Sequence, residues 1–167
     1  MDIVLHRALA VIEKYHLHRP PRPHSLCHIY KIEGILLKFY PFRGSLSRTY
    51  IRTPDGIELY TVKSGLPPAE LKSALAHGLG HSFLHGSPGT YIYGLTEEEV
   101  EDQADDFASL LLIPPGSLRE GCRRDIQKLA EEFCVPLSLT QRRLQLEEWL
   151  IGRAVVNPAP ELTEGGF

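Results

Sequence analysis

Ala76-His77-Gly78-Leu79-Gly80-His81 is the stretch that decides how this chain is read. His77 and His81 stand four residues apart, and on an α-helix that spacing places two side chains one turn above each other on one face. Two imidazoles so placed reach a single tetrahedral metal ion and leave positions for a third protein ligand and a water. The frame is that of the helical motif H-E-x-x-H, whose glutamate serves as general base. Here position 78 is glycine, so the metal-binding frame is present and the proton acceptor is missing. Gly78 and Gly80 each weaken a helix by roughly 1 kcal/mol relative to alanine, a loss that packing or metal must recover.

Working outward, Pro67-Pro68 opens this helix, since proline is tolerated in a first turn, and the helix runs to about His85. His85 extends the histidine row but reads as a helix-end residue complementing the dipole. Ser87-Pro88-Gly89 stops the helix, and Tyr91 and Tyr93 in the following loop read as packing residues rather than oxyanion donors. Thr96-Glu97-Glu98-Glu99 then forms a capping box. The helix it starts carries an apolar stripe of Val100, Ala104, Phe107, Ala108 and Leu111 and ends at Pro114-Pro115. Glu101 and Asp105 flank the stripe, which turns both toward whatever the helix packs on. Glu101 is the candidate third metal ligand. Asp105, one turn on, is placed to accept a hydrogen bond from a ligating imidazole and fix its tautomer.

The rest of the chain supplies a frame. Residues 3–17 carry Leu5, Ala8, Leu9 and Ile12 at helical spacing, and Arg19-Pro20-Pro21-Arg22-Pro23 forms a stiff connector. The β-branched and aromatic run Ile29–Phe42, interrupted at Gly34, reads as strand. Tyr50–Arg52 and Ile57–Val62 are two further strands around the turn residues Thr53-Pro54-Asp55-Gly56. Together they predict a small antiparallel sheet. Helices are expected near Arg123–Phe133 and from about Ser138 to Leu150. The expected division is a domain over 1–114, a helical part over 115–152 that packs on it or docks a partner, and a flexible tail over 153–167.

Composition narrows the class. At 167 residues and 43% hydrophobic content the chain can bury a core, and a net charge of −3 advertises no nucleic acid. Residues 97–106 hold seven acids and no base, which reads as a solvated helix face. Cys27, Cys122 and Cys134 form no CxxC pair and read as small buried thiols in a reducing compartment. Without a signal peptide or an apolar run of membrane-spanning length, a cytoplasmic protein is expected. His24 and His28 beside Cys27 have spacing too irregular for a second metal site. Segments around Val135-Pro136-Leu137-Ser138 have a helix-turn-helix outline in which Arg142 and Arg143 would touch phosphate. Residues 115–155 nevertheless hold seven bases against six acids, so helices that cap the core or dock a partner are expected instead, with no direct nucleic-acid binding.

Ala76-His77-Gly78-Leu79-Gly80-His81-Ser82-Phe83-Leu84-His85 resembles the A-H-E-L-G-H-x-x-L-H segment of ImmA/IrrE-type metallopeptidases. The run from Glu101 to Pro114 is similar to the E-x-x-A-[ND]-x-F-A-x-x-L-L-x-P segment of the same family, in the same order along the chain. The resemblance implies an α+β, zincin-like fold with an N-terminal helix, a metal-binding helix pair and C-terminal helices. It implies Zn²⁺ on His77, His81 and Glu101, with Asp105 behind them. It implies a cytoplasmic endopeptidase that cleaves a helix-turn-helix repressor. The family's general base falls on Gly78, so impaired or absent cleavage is expected, and the alternative is a zinc-binding regulator that binds its partner without cutting. The match of Ala76, Leu79, Gly80 and Leu84 around position 78 favours the loss of one side chain from an otherwise intact site.

Overall fold

The computed structural model describes residues 2–85, 95–118 and 125–156. Helix α1 (Asp2–Lys14) buries Val4, Ala8, Val11 and Ile12, so its inward stripe differs from the expected one: Leu9 is exposed and Leu5 half-buried. Both stripes have helical spacing, and only the partner selects between them.

The first four residues of the expected Ile29–Phe42 strand are helix instead. Helix α2 (Pro23–Ile32) opens on proline and buries Leu26, Ile29 and Tyr30, an i, i+3, i+4 set that outweighs the β-branched composition. Gly34, at φ +73°, turns the chain out of it, and strand β1 covers only Leu36–Tyr40.

Strands β2 (Arg48–Arg52) and β3 (Glu58–Lys63) form the expected hairpin, with Gly56 at φ +87° in the turn and its N–H donating to the Thr53 carbonyl at 2.9 Å. The sheet order is β1-β3-β2. β2 and β3 pair antiparallel, with Tyr50 opposite Tyr60, while β1 lies on the far side of β3 and runs parallel to it, with Leu37 opposite Tyr60. The sheet is therefore mixed rather than antiparallel. A hairpin whose returning strand takes the centre leaves β1 no antiparallel neighbour.

Helix α3 (Pro68–His85) and helix α4 (Glu97–Leu112) form the largest interface between elements, and α4 starts with the predicted capping box. Gly80 explains how closely they approach. A Cβ at position 80 would lie 2.9 Å from the Ala104 carbonyl oxygen and 3.0 Å from its Cα. Backbone thus rests on backbone at this crossing, and Glu101, one turn before Ala104, is brought against the histidine face of α3. Phe107, Ala108, Leu110, Leu111 and Leu112 continue the core with Leu75 and Leu79.

Helix α5 (Ile126–Phe133) and helix α6 (Leu137–Val156) close the fold, α6 against α4. Residues 153–156 belong to α6 rather than to a tail. Residues 157–167, Tyr91, Tyr93 and Cys122 lie outside the described residues. The expectation of buried thiols fails for Cys134, which is exposed, and Cys27 is half-buried. Among the described residues no helix is long and apolar enough to cross a membrane.

Candidate metal centre

His77 and His81 lie on the buried face of α3, 1% and 7% exposed. Their Nε2 atoms are 2.9 Å apart. Glu101 reaches across from α4, with Oε1 3.1 Å from His81 Nε2 and Oε2 3.3 Å from His77 Nε2. One donor atom from each residue falls within 4.8 Å of the others. Around a tetrahedral zinc with bonds of about 2.0–2.1 Å, neighbouring donors stand roughly 3.3 Å apart. The three separations, 2.9 to 3.3 Å, lie at or a little inside that spacing, and the donor set of two imidazoles and one carboxylate suits zinc among other divalent ions.

Asp105 completes the arrangement from behind. Its Oδ1 accepts from His77 Nδ1 at 2.6 Å, which leaves Nε2 as the ring nitrogen facing the centre. Burial pushes the Asp105 carboxyl up, but the bond from His77 and the charges of His77, Arg48 and Arg142 hold it below the ordinary value. The Glu101 carboxyl is held down at about 2 by its contact with His77, against burial, with help from the charges of His77, His81 and Arg48. Burial, then the charge of His77, lowers His81 to about 4. An ionised Glu101 and a neutral His81 are the forms that coordinate a metal.

The sheet side contributes residues that sequence reading missed. Tyr50 of β2 stacks on His81, rings 5.3 Å apart at 15°. Arg48 Nη2 lies 3.7 Å from Glu101 Oε2 and 3.9 Å from Asp105 Oδ1. With Tyr60 they wall a cleft of about 840 Å³. His85, set aside as a helix-end residue, also lines this cleft and meets Gln103 Oε1 at 3.2 Å. In the sequence Arg48 and Tyr50 are ordinary alternating strand residues, and only the register of β2 against β3 brings them to the histidines.

Position 78 is not an empty niche. A Cβ there would lie 2.5 Å from Cε1 and Cζ of Tyr60 and closer still to the Tyr30 hydroxyl. Both tyrosines are 1% exposed, and their rings stack at 5.7 Å and 22°. Tyr30 Oη donates to the Leu75 carbonyl and Tyr60 Oη to the Ala74 carbonyl, each at 2.7 Å.

The arginines of the helix-turn-helix outline are used internally. Arg142 binds Asp102 and Asp106 on α4, both at 2.6 Å. Arg143 is fully buried, donates to the Ile113 carbonyl at 2.9 Å and pairs with Glu147 at 2.7 Å.

The family profile of the IrrE N-terminal-like domain, peptidase family M78, matches residues 33–145. Among solved structures, a Mycobacterium tuberculosis transcriptional regulator superposes with a TM-score of 0.62 at 18% sequence identity, over 86% of this chain and 47% of that one. The chain thus spans about half the length of that protein, and the likeness bears on fold alone. The curated proteins give no match. The profile covers well over half of the 167 residues and includes both motif helices, and it accords with the α+β, zincin-like architecture. This chain belongs to the IrrE N-terminal-like family of metallopeptidases, peptidase family M78.

Proposed function

We propose that this chain is a zinc-binding regulator built on a metallo-endopeptidase frame, which engages a helix-turn-helix repressor in the cytoplasm and cuts it poorly or not at all. The observation that carries the reading is the convergence of His77, His81 and Glu101 beside a position that offers no carboxylate. His77, His81 and Glu101 hold the ion, and Asp105 orients His77. Bound there, zinc supplies Lewis acidity toward a peptide carbonyl or a water. What this chain lacks is a side chain at 78 to take the proton of an attacking water. Losing a general base typically costs about two to four orders of magnitude in rate. The 1–114 unit holds the centre, and the helical part over 115–152 packs on that unit, with Arg142 bound to Asp102 and Asp106 of α4.

A slow endopeptidase is the second reading, and the retention of all three donors favours it. Both readings face one experiment. The zinc-loaded protein is mixed with purified helix-turn-helix repressors, and complex formation and the mass of each repressor are followed together. A stable complex with intact repressor is expected. Cleavage by the parent that stops in His81→Ala restores the enzyme, and no complex at all removes the repressor as partner.

A further inference from the structure

We infer that Tyr30 and Tyr60 are positioning residues of the metal centre that have taken over the general base's place and closed position 78 to any side chain. This deepens the non-cutting reading and rests on it for its functional meaning. The two rings come from separate elements, α2 and β3, and meet at one glycine of α3. The carbonyls they bind, of Ala74 and Leu75, lie one turn before Gly78 and Leu79, so the rings lie along the helix face at position 78. Tyr60 is also a wall of the cleft that holds His77 and His81. A carboxylate leaving the helix at 78 would have to pass through that ring.

A site that had merely lost a glutamate would hold a void beside Gly78. Here two buried aromatic side chains, each with its own hydrogen bond, fill the space. They fix the helix directly beside His77. A Cβ at 78 would force these buried rings to shift, so glycine, the poorest helix former after proline, is the residue that fits this contact. The single change Gly78→Glu therefore does not rebuild the peptidase.

The test compares two glycine-to-alanine changes in helices of one protein. Gly152 in α6 has open space at its Cβ, so Gly152→Ala is expected to raise the melting temperature by roughly 2 °C. Gly78→Ala is expected to lower it by roughly 4 °C or more and to weaken zinc binding roughly tenfold. The penalty of Gly78→Ala persists in a Tyr60→Phe background and shrinks in Tyr60→Leu; should Tyr60→Leu not fold, Tyr30→Phe replaces it and relieves the penalty in part. A stabilising Gly78→Ala, or a penalty left unchanged by both Tyr60→Leu and Tyr30→Phe, overturns the inference. A parent that binds no zinc would instead remove the proposed function, while the sign of the Gly78→Ala shift still decides whether the tyrosines close the position.

Discussion

At the scale of the residue, Asp105 sets the tautomer and orientation of His77. A carboxylate at 2.6 Å from Nδ1 fixes the ring's orientation and leaves Nε2 facing His81 and Glu101. Asp105→Asn keeps the shape and removes the charge, and an amide can present its NH₂ to the ring as readily as its oxygen. Zinc affinity is expected to fall about 10- to 100-fold, with little change in the fold. Competition against a chromophoric chelator measures it, and an unchanged affinity would mean that Asp105 is a bystander. The pairing of Glu101 and Asp105 with the histidines was legible in the sequence, because an apolar stripe at helical period tells which way its flanking acids face. The tyrosines at Gly78 were not. Tyr30 sits in a segment whose composition reads as strand, and no local pattern says that two tyrosines 30 positions apart meet at one glycine.

At the scale of the element, α4 is held from two sides. Gly80 fixes its approach to α3, and Arg142 of α6 ties down Asp102 and Asp106. Burial pushes Asp106 above its ordinary value despite Arg142, so this carboxylate depends on its partner to stay charged. Arg142→Ala is expected to cost about 1–3 kcal/mol in denaturant unfolding, and a change within 0.5 kcal/mol would show that the contact contributes nothing. The α1–α2 corner has a pH signature. Burial pushes Glu33 up, but hydrogen bonds from Lys14 and Tyr15 and the Lys14 charge outweigh it, and its carboxyl lies below the ordinary 4.5. A carboxylate lowered on folding adds stability above its unfolded value and loses it as pH falls through the folded one. Acid titration of Glu33→Gln is therefore expected to show a shallower loss of stability below about pH 4.5 than the parent, while equal slopes would remove Glu33 from the account. The capping box at Thr96, the turn at Gly56 and both motif helices were readable because each is specified by neighbours in sequence. The helix α2 and the parallel pairing of β1 were not, since burial on a distant partner decides them.

At the scale of the whole molecule, a mixed sheet and a helix pair converge on one cleft whose floor is His77, His81 and Glu101, and α6 braces the helix pair from behind through Arg142. Every element that touches the centre also serves the core, so the site does not assemble without the fold. The measurement that tests this most directly is the metal content of the purified protein by elemental analysis, beside His81→Ala. The account predicts about one zinc per chain in the parent and essentially none in the variant, as expected when one of three protein ligands is removed. A parent that stays metal-free after incubation with zinc, or a variant that holds as much as the parent, would contradict it.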